Sequence, residues 1–107
     1  LDMLTPIKTS TKVLVAVFSK EEMKYSVKLA SQLRAHKIAT EIYPEPDKLK
    51  KQFGYADKKG IPYMAILGEN EIKENLVTIK DLRTGKQILL SLIKAVELVQ
   101  SNQLIEG

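Results

Sequence analysis

The 107-residue sequence predicts an α/β domain in which a five-stranded mixed sheet, three parallel strands followed by a hairpin, packs with three helices. Three observations carry this. Val13 to Phe18 is a continuous apolar run, the pattern of a strand covered on both faces. Segments of helical period separate it from two further short apolar runs, and the resulting order β-α-β-α-β implies parallel strands joined by right-handed crossovers. After Gly68 the pattern becomes alternating on either side of Arg83-Thr84-Gly85, which is the signature of a hairpin.

Taken in order, Leu1 to Thr11 lacks periodicity, carries Pro6 and a Thr/Ser cluster, and reads as a tail or linker, 1–11, entering a domain at 12–101. Lys12 to Phe18 is the first strand. Ser19 with Glu22 three residues on is a capping-box spacing, so a helix begins there. Its expected inward stripe is Met23, Val27, Ala30 and Leu33, with Lys20, Lys24, Lys28 and Arg34 outside. His36, the single histidine, falls at the end of this helix, where an imidazolium suits the negative dipole end and no second ligand or proton-transfer partner is near. Ile38 to Tyr43, shorter and more polar, is a second strand nearer an edge. Pro44 stops it, Pro46 fits the first turn of the next helix, and Asp47 suits that helix start.

The helix Lys48 to Lys59 places Leu49, Phe53 and Ala56 in one apolar sector, while Lys48, Lys51, Tyr55, Lys58 and Lys59 form a separate basic arc with an aromatic in it. Residues 47–60 hold five lysines against two aspartates, so most of the chain's net charge of +4 sits in this segment. Lysines on an outer helix face are commonly just solvated. With Tyr55 among them they also suit RNA, the ammonium groups meeting phosphates and the ring stacking on a base. Gly54 is either tolerated within the helix or allows another backbone to approach. Gly60 ends the helix, Ile61-Pro62 forces extension, and Tyr63 to Leu67 is a third buried strand. Leu76 to Lys80 and Lys86 to Leu90 form the hairpin. Ser91 caps a last helix with Leu92, Ala95 or Val96, and Val99 inward, and residues 102–107 are expected to fray.

Composition removes several functions. The absence of cysteine excludes disulfides, thiolate metal sites and a cysteine nucleophile. The turn after the first strand reads FSKEE, so it is neither a P-loop nor a dinucleotide fingerprint, and no GxSxG elbow or evident acid–base pair occurs. No run approaches a membrane span, which predicts a soluble protein. A small-ligand module using the switch point of the sheet is a further reading, disfavoured by the missing glycine loop.

The stretches VLVAVF, KLASQLRAHKIATEIYPEPDKLKKQFGYADKKGIPYMAILGENEI and VTIKDLRTGKQ closely resemble the C-terminal anticodon-binding domain of histidyl-tRNA synthetase, over about residues 12–101. The block LKKQFGYADKKGIPY is the part most specific to the histidyl branch of the class II enzymes. The resemblance implies the class II anticodon-binding-domain fold and docking on the anticodon stem-loop of tRNA(His). It also implies a parent histidine–tRNA ligase, homodimeric and cytoplasmic or organellar, whose separate catalytic domain handles ATP and Mg. No cofactor is expected in this domain, which alone should not aminoacylate. By correspondence with threonyl enzymes, Glu71 and Lys80 are implied as anticodon readers, with Asp81 and Tyr55 added as candidates and Lys48, Lys51, Lys58 and Lys59 assigned to the RNA backbone. A free-standing paralogue or adaptor that binds RNA or dimerises is the alternative origin.

Overall fold

The computed structural model describes residues 10–106. Most of the expected 1–11 linker lies outside the described residues. Thr11 belongs to the domain: it is buried, and its hydroxyl donates to Glu41 at 2.6 Å.

The elements run β1 (Val13–Val15), α1 (Lys20–Ala35), β2 (Thr40–Ile42), α2 (Leu49–Lys59), β3 (Tyr63–Ile66), α3 (Glu69–Glu74), β4 (Val77–Asp81), β5 (Lys86–Leu90) and α4 (Leu92–Gln100). One sheet contains all five strands in the order β2-β1-β3-β4-β5. β2, β1 and β3 are parallel, and β4 and β5 add antiparallel. The expected mixed sheet and hairpin are therefore present. The β1 ladder is short, yet Val13 to Val17 are all fully buried, because helices cover both faces of the sheet's centre.

Alternation along the strands divides the core in two. On one face Val13, Val15, Tyr63, Ala65, Val77 and Ile79 pack with Leu29, Ala30 and Leu33 of α1 and Ala95, Val96 and Val99 of α4. On the other, Leu14, Ala16 and Met64 pack with Ala56 and Ile61, edged by Leu49, Phe53 and Tyr55 of α2. α2 lies over β1 and β3. Among the described residues the second face of β5 is open, with Leu89 51% exposed and Gln87 exposed.

Several details differ from expectation. A fourth helix, the six-residue α3, follows β3. It is too short to show a period, and it closes because the Gly68 N–H donates to the Glu71 carboxylate at 2.6 Å and Asn75 takes a left-handed conformation at its end. The buried stripe of α1 contains Ser26 and Leu29, whereas Val27 is 50% exposed. Ser26 can face inward because its hydroxyl donates to the Ala16 carbonyl. Pro46 lies before α2 rather than in its first turn, since Lys48 is the N-cap.

Gln52 is fully buried, although hydropathy would place it outside. Its amide accepts from Val17 N–H at 2.9 Å and donates to the Val17 and Asp47 carbonyls at 2.8 and 2.9 Å, joining the end of β1 to α2. The segment 102–106, expected to fray, is placed against the domain. Ile105 is buried, its N–H donates to Asp81 at 2.9 Å, and its carbonyl accepts from Thr84. The expected caps are present: Ser19 and Ser91 accept from the amides of Glu22 and Lys94, and Gly60 is left-handed.

Candidate nucleic-acid interface

The sequence places Phe53 and Tyr55 two positions apart, about 160° around the helix axis. They consequently serve opposite flanks of α2. On the β2 flank the Tyr55 hydroxyl donates to Glu41 at 2.7 Å, and its ring meets that of Tyr43 edge-on, with centroids 5.5 Å apart. Lys59 joins the group, 3.1 Å from the Tyr55 oxygen and 3.4 Å from Glu41, and its ammonium lies 5.1 Å from the Tyr55 ring centroid. Hydrogen bonds from Thr11 and then Tyr55, with the nearby Lys59 charge, hold the Glu41 carboxyl below the usual glutamate range. Hydrogen bonds to Tyr55 and then Glu41 push the Lys59 ammonium upward. Tyr55, expected as a stacking ring, is half-buried and tied by its hydroxyl to the edge strand.

On the opposite flank Lys80 extends from β4 so that its ammonium lies 4.6 Å from the centroid of Phe53. Lys80 is half-exposed and, among the described residues, has no carboxylate partner. Register places it opposite Gln87 on β5 and Met64 on β3, and places Thr78 opposite Leu89. Directly opposed residues share a sheet face. Lys80, Gln87 and Leu89 thus form one open platform, bounded on the α2 side by Phe53 and at its other end by the buried Thr78.

Glu71 reaches the same face. One carboxylate oxygen closes α3 through Gly68, and the other accepts from the Thr78 hydroxyl at 3.2 Å, two residues along β4 from Lys80. The structure brings Glu71 and Lys80 to one side of the sheet, with Glu71 already engaged in holding α3.

Asp81 does not join them. It is fully buried on the other face of β4, where it accepts from Arg83 Nε at 3.0 Å, from the Arg83 N–H at 2.9 Å and from the Ile105 N–H. Arg83 stacks 4.9 Å from the Tyr63 ring centroid and donates to Asn102 and the Gln103 carbonyl, while the Tyr63 hydroxyl also donates to Gln103. Burial pushes the Asp81 carboxyl upward, but the hydrogen bonds from Arg83 and Ile105 outweigh it and keep it below the usual aspartate range. A carboxylate so enclosed has no access to a base edge, and its assignment as a reader is corrected to a clasp for the C-terminal segment.

Lys48, Lys51 and Lys58 are exposed, as the basic arc predicted, with Lys51 making one long contact of 3.8 Å to Asp47. They project toward solvent or the β2 flank. The lysine best placed for the platform is Lys50, exposed and about 60° from Phe53 around the axis. Sequence reasoning left it out of the arc, because the projection of α2 alone does not say which side of the helix faces β4. Asp57 also projects to this side and offsets part of its charge.

A sequence model of the family described as "Anticodon binding domain" matches residues 12–102. The histidine–tRNA ligase of Helicobacter acinonychis is 39% identical over 103 residues, which cover 95% of this chain and 23% of that protein. That of Wolinella succinogenes is 46% identical over 79 residues, 74% of this chain and 18% of the relative. Among solved structures, histidyl-tRNA synthetase from Nostoc sp. PCC 7120 superposes with a TM-score of 0.83 at 31% identity, covering 88% of this chain and 23% of that one. The RNA binding domain of threonyl-tRNA synthetase from Cryptosporidium parvum, at 20% identity and a TM-score of 0.80 over 87% of this chain and 24% of that one, shares the fold. The chain spans less than a quarter of the length of the two curated relatives. With the family pattern matched from the start of β1 to the end of α4, the chain belongs to the anticodon binding domain family.

Proposed function

We propose that this domain binds the anticodon loop of tRNA(His) and positions that tRNA for a catalytic domain in the remainder of a histidine–tRNA ligase. The observation that carries the reading is the open face of β5, with a lysine unpaired among the described residues, Lys80, beside it on β4. Single-stranded loops present splayed bases whose edges and faces suit such a platform. A lysine there donates to base carbonyls or ring nitrogens, while Lys50, Lys51 and Lys58 meet phosphates. In this reading ATP and magnesium belong to the catalytic part, which dimerises, and the protein works in the cytoplasm.

The test is binding of this chain to a histidine-anticodon stem-loop and to stem-loops with each anticodon base changed in turn. The wild type is expected to prefer the histidine anticodon, and Lys80→Met to lose about 5- to 150-fold of that preference at one position. Lys50→Gln should weaken all stem-loops alike and lower the salt slope by about 0.7, one single-strand phosphate's worth. Equal binding of every stem-loop by the wild type would remove the reading.

A further inference from the structure

We infer that Phe53 is the base-stacking residue of this interface, and that in the RNA-free protein Lys80 occupies the ring face on which the base stacks. The inference rests on the anticodon-loop reading and names a contact within it. Phe53 is half-buried, packed at the edge of the core cluster formed by Leu14, Ala16, Ala56, Ile61 and Met64. The Lys80 ammonium lies over the ring, 4.6 Å from its centroid. A half-exposed aromatic ring at the border of the platform, with a flexible four-carbon side chain over it, opens to a base when that side chain moves.

The exchange is favourable on known magnitudes. A lysine over an aromatic ring at a partly exposed site is worth about 2- to 5-fold. A base stacked on an aromatic side chain is worth roughly 5- to 150-fold in affinity. A base therefore displaces the ammonium, and the displaced lysine keeps its charge beside the RNA. From its position between Met64 and Gln87, the Lys80 side chain can turn from α2 toward β5. There it meets the polar edge of the stacked base or of its neighbour. Cation and base use the ring in sequence, so one residue pair provides both stacking and edge contact. Tyr55 cannot substitute, because it faces the β2 flank with its hydroxyl bound to Glu41.

Two measurements on this chain test the exchange. In the first, the wild type is titrated with the histidine-anticodon stem-loop and followed by proton NMR. The Lys80 ε-methylene signals are expected to be ring-shifted upfield in the free protein and to return to ordinary positions in the complex, as the Phe53 ring protons move upfield under the base. Lys80 signals that stay ring-shifted in a saturated complex would overturn the inference. In the second, stem-loops carry 2-aminopurine at one loop position at a time. One position should change fluorescence on binding to wild type and to Phe53→Tyr, and lose that change with a drop of about tenfold or more in affinity for Phe53→Leu. Undiminished affinity and fluorescence response in Phe53→Leu would equally overturn it, while leaving stem-loop binding intact. Absence of stem-loop binding by the wild type would instead fell the functional reading, and this inference with it.

Discussion

Phe53 and Tyr55 lie two positions apart on α2 and reach opposite flanks of it, the first under the Lys80 ammonium at 4.6 Å and the second donating to Glu41 at 2.7 Å. Their separation divides labour along a single helix. The Tyr55 side anchors α2 to the edge strand, and the Phe53 side borders the open platform. The sequence set Phe53 in the apolar sector and Tyr55 in the basic arc; in space the first reaches the border of the platform and the second the edge strand.

Removing only the Tyr55 hydroxyl tests that division. Tyr55→Phe should lower stability by about 0.5 to 1.5 kcal/mol through the lost hydrogen bond. Because that bond helps depress the Glu41 pKa, the variant's Glu41 should titrate closer to the ordinary glutamate value, as measured by carboxyl-carbon NMR. The sign follows from linkage: stability contributed by Glu41 is present above its unfolded pKa and lost as pH falls through the depressed folded one. Stem-loop affinity is expected to stay within about twofold, and a loss near the 1–3 kcal/mol of a base stack would return the stacking role to Tyr55.

Asp81 gives a larger effect in the same direction. Asp81→Ala leaves Arg83 without its carboxylate and the Ile105 amide without its acceptor, and should cost about 3 to 5 kcal/mol in chemical denaturation. In the wild type the Asp81 contribution is complete above the unfolded aspartate pKa of about 3.9 and disappears as pH drops through its lower folded value. The acid limb of the stability curve should therefore flatten in Asp81→Asn. An unchanged acid limb would show that other carboxylates govern acid unfolding.

Gly54 offers a gain instead of a loss. It lies within α2 outside the left-handed region, and a β-carbon built there meets nothing within 4 Å. Gly54→Ala should raise stability by about 0.5 to 1 kcal/mol with stem-loop affinity unchanged. A stabler variant with weakened RNA binding would mean that the ribose-phosphate chain passes directly against this residue, the second of the two readings its sequence position allows.

The sheet was legible because its determinants are local. The continuous run Val13 to Phe18 marks a central strand, and Arg83-Thr84-Gly85 marks a hairpin whatever surrounds it. Buried polar residues escaped for the opposite reason. Gln52 and Asp81 are inside because of partners 35 and 24 residues away, Val17 and Ile105, and no periodicity encodes such bonds. Ser26 rotated the α1 stripe for the same cause, a single bond to Ala16. In the candidate site, Glu71 and Lys80 came from family resemblance and do share a face. Phe53 and Lys50 were visible as residues but not as neighbours of Lys80, because their place depends on which strand α2 leans toward.

The clasp at Asp81 also sets an order of events during synthesis. Chains grow from the N-terminus, and domains generally fold as units as they are made. β1 to β4 can pair once Asp81 has emerged from the ribosome, and Arg83 follows two residues behind to neutralise the carboxylate. The remaining amide partner, Ile105, is translated 24 residues after Asp81. Until then a nascent chain carries an incompletely satisfied acid at the border of its core, with the apolar face of β4 still lacking α4. The latch is complete only once Ile105 has also left the ribosome, so a chain stalled before that point holds a sheet that is formed but unlatched.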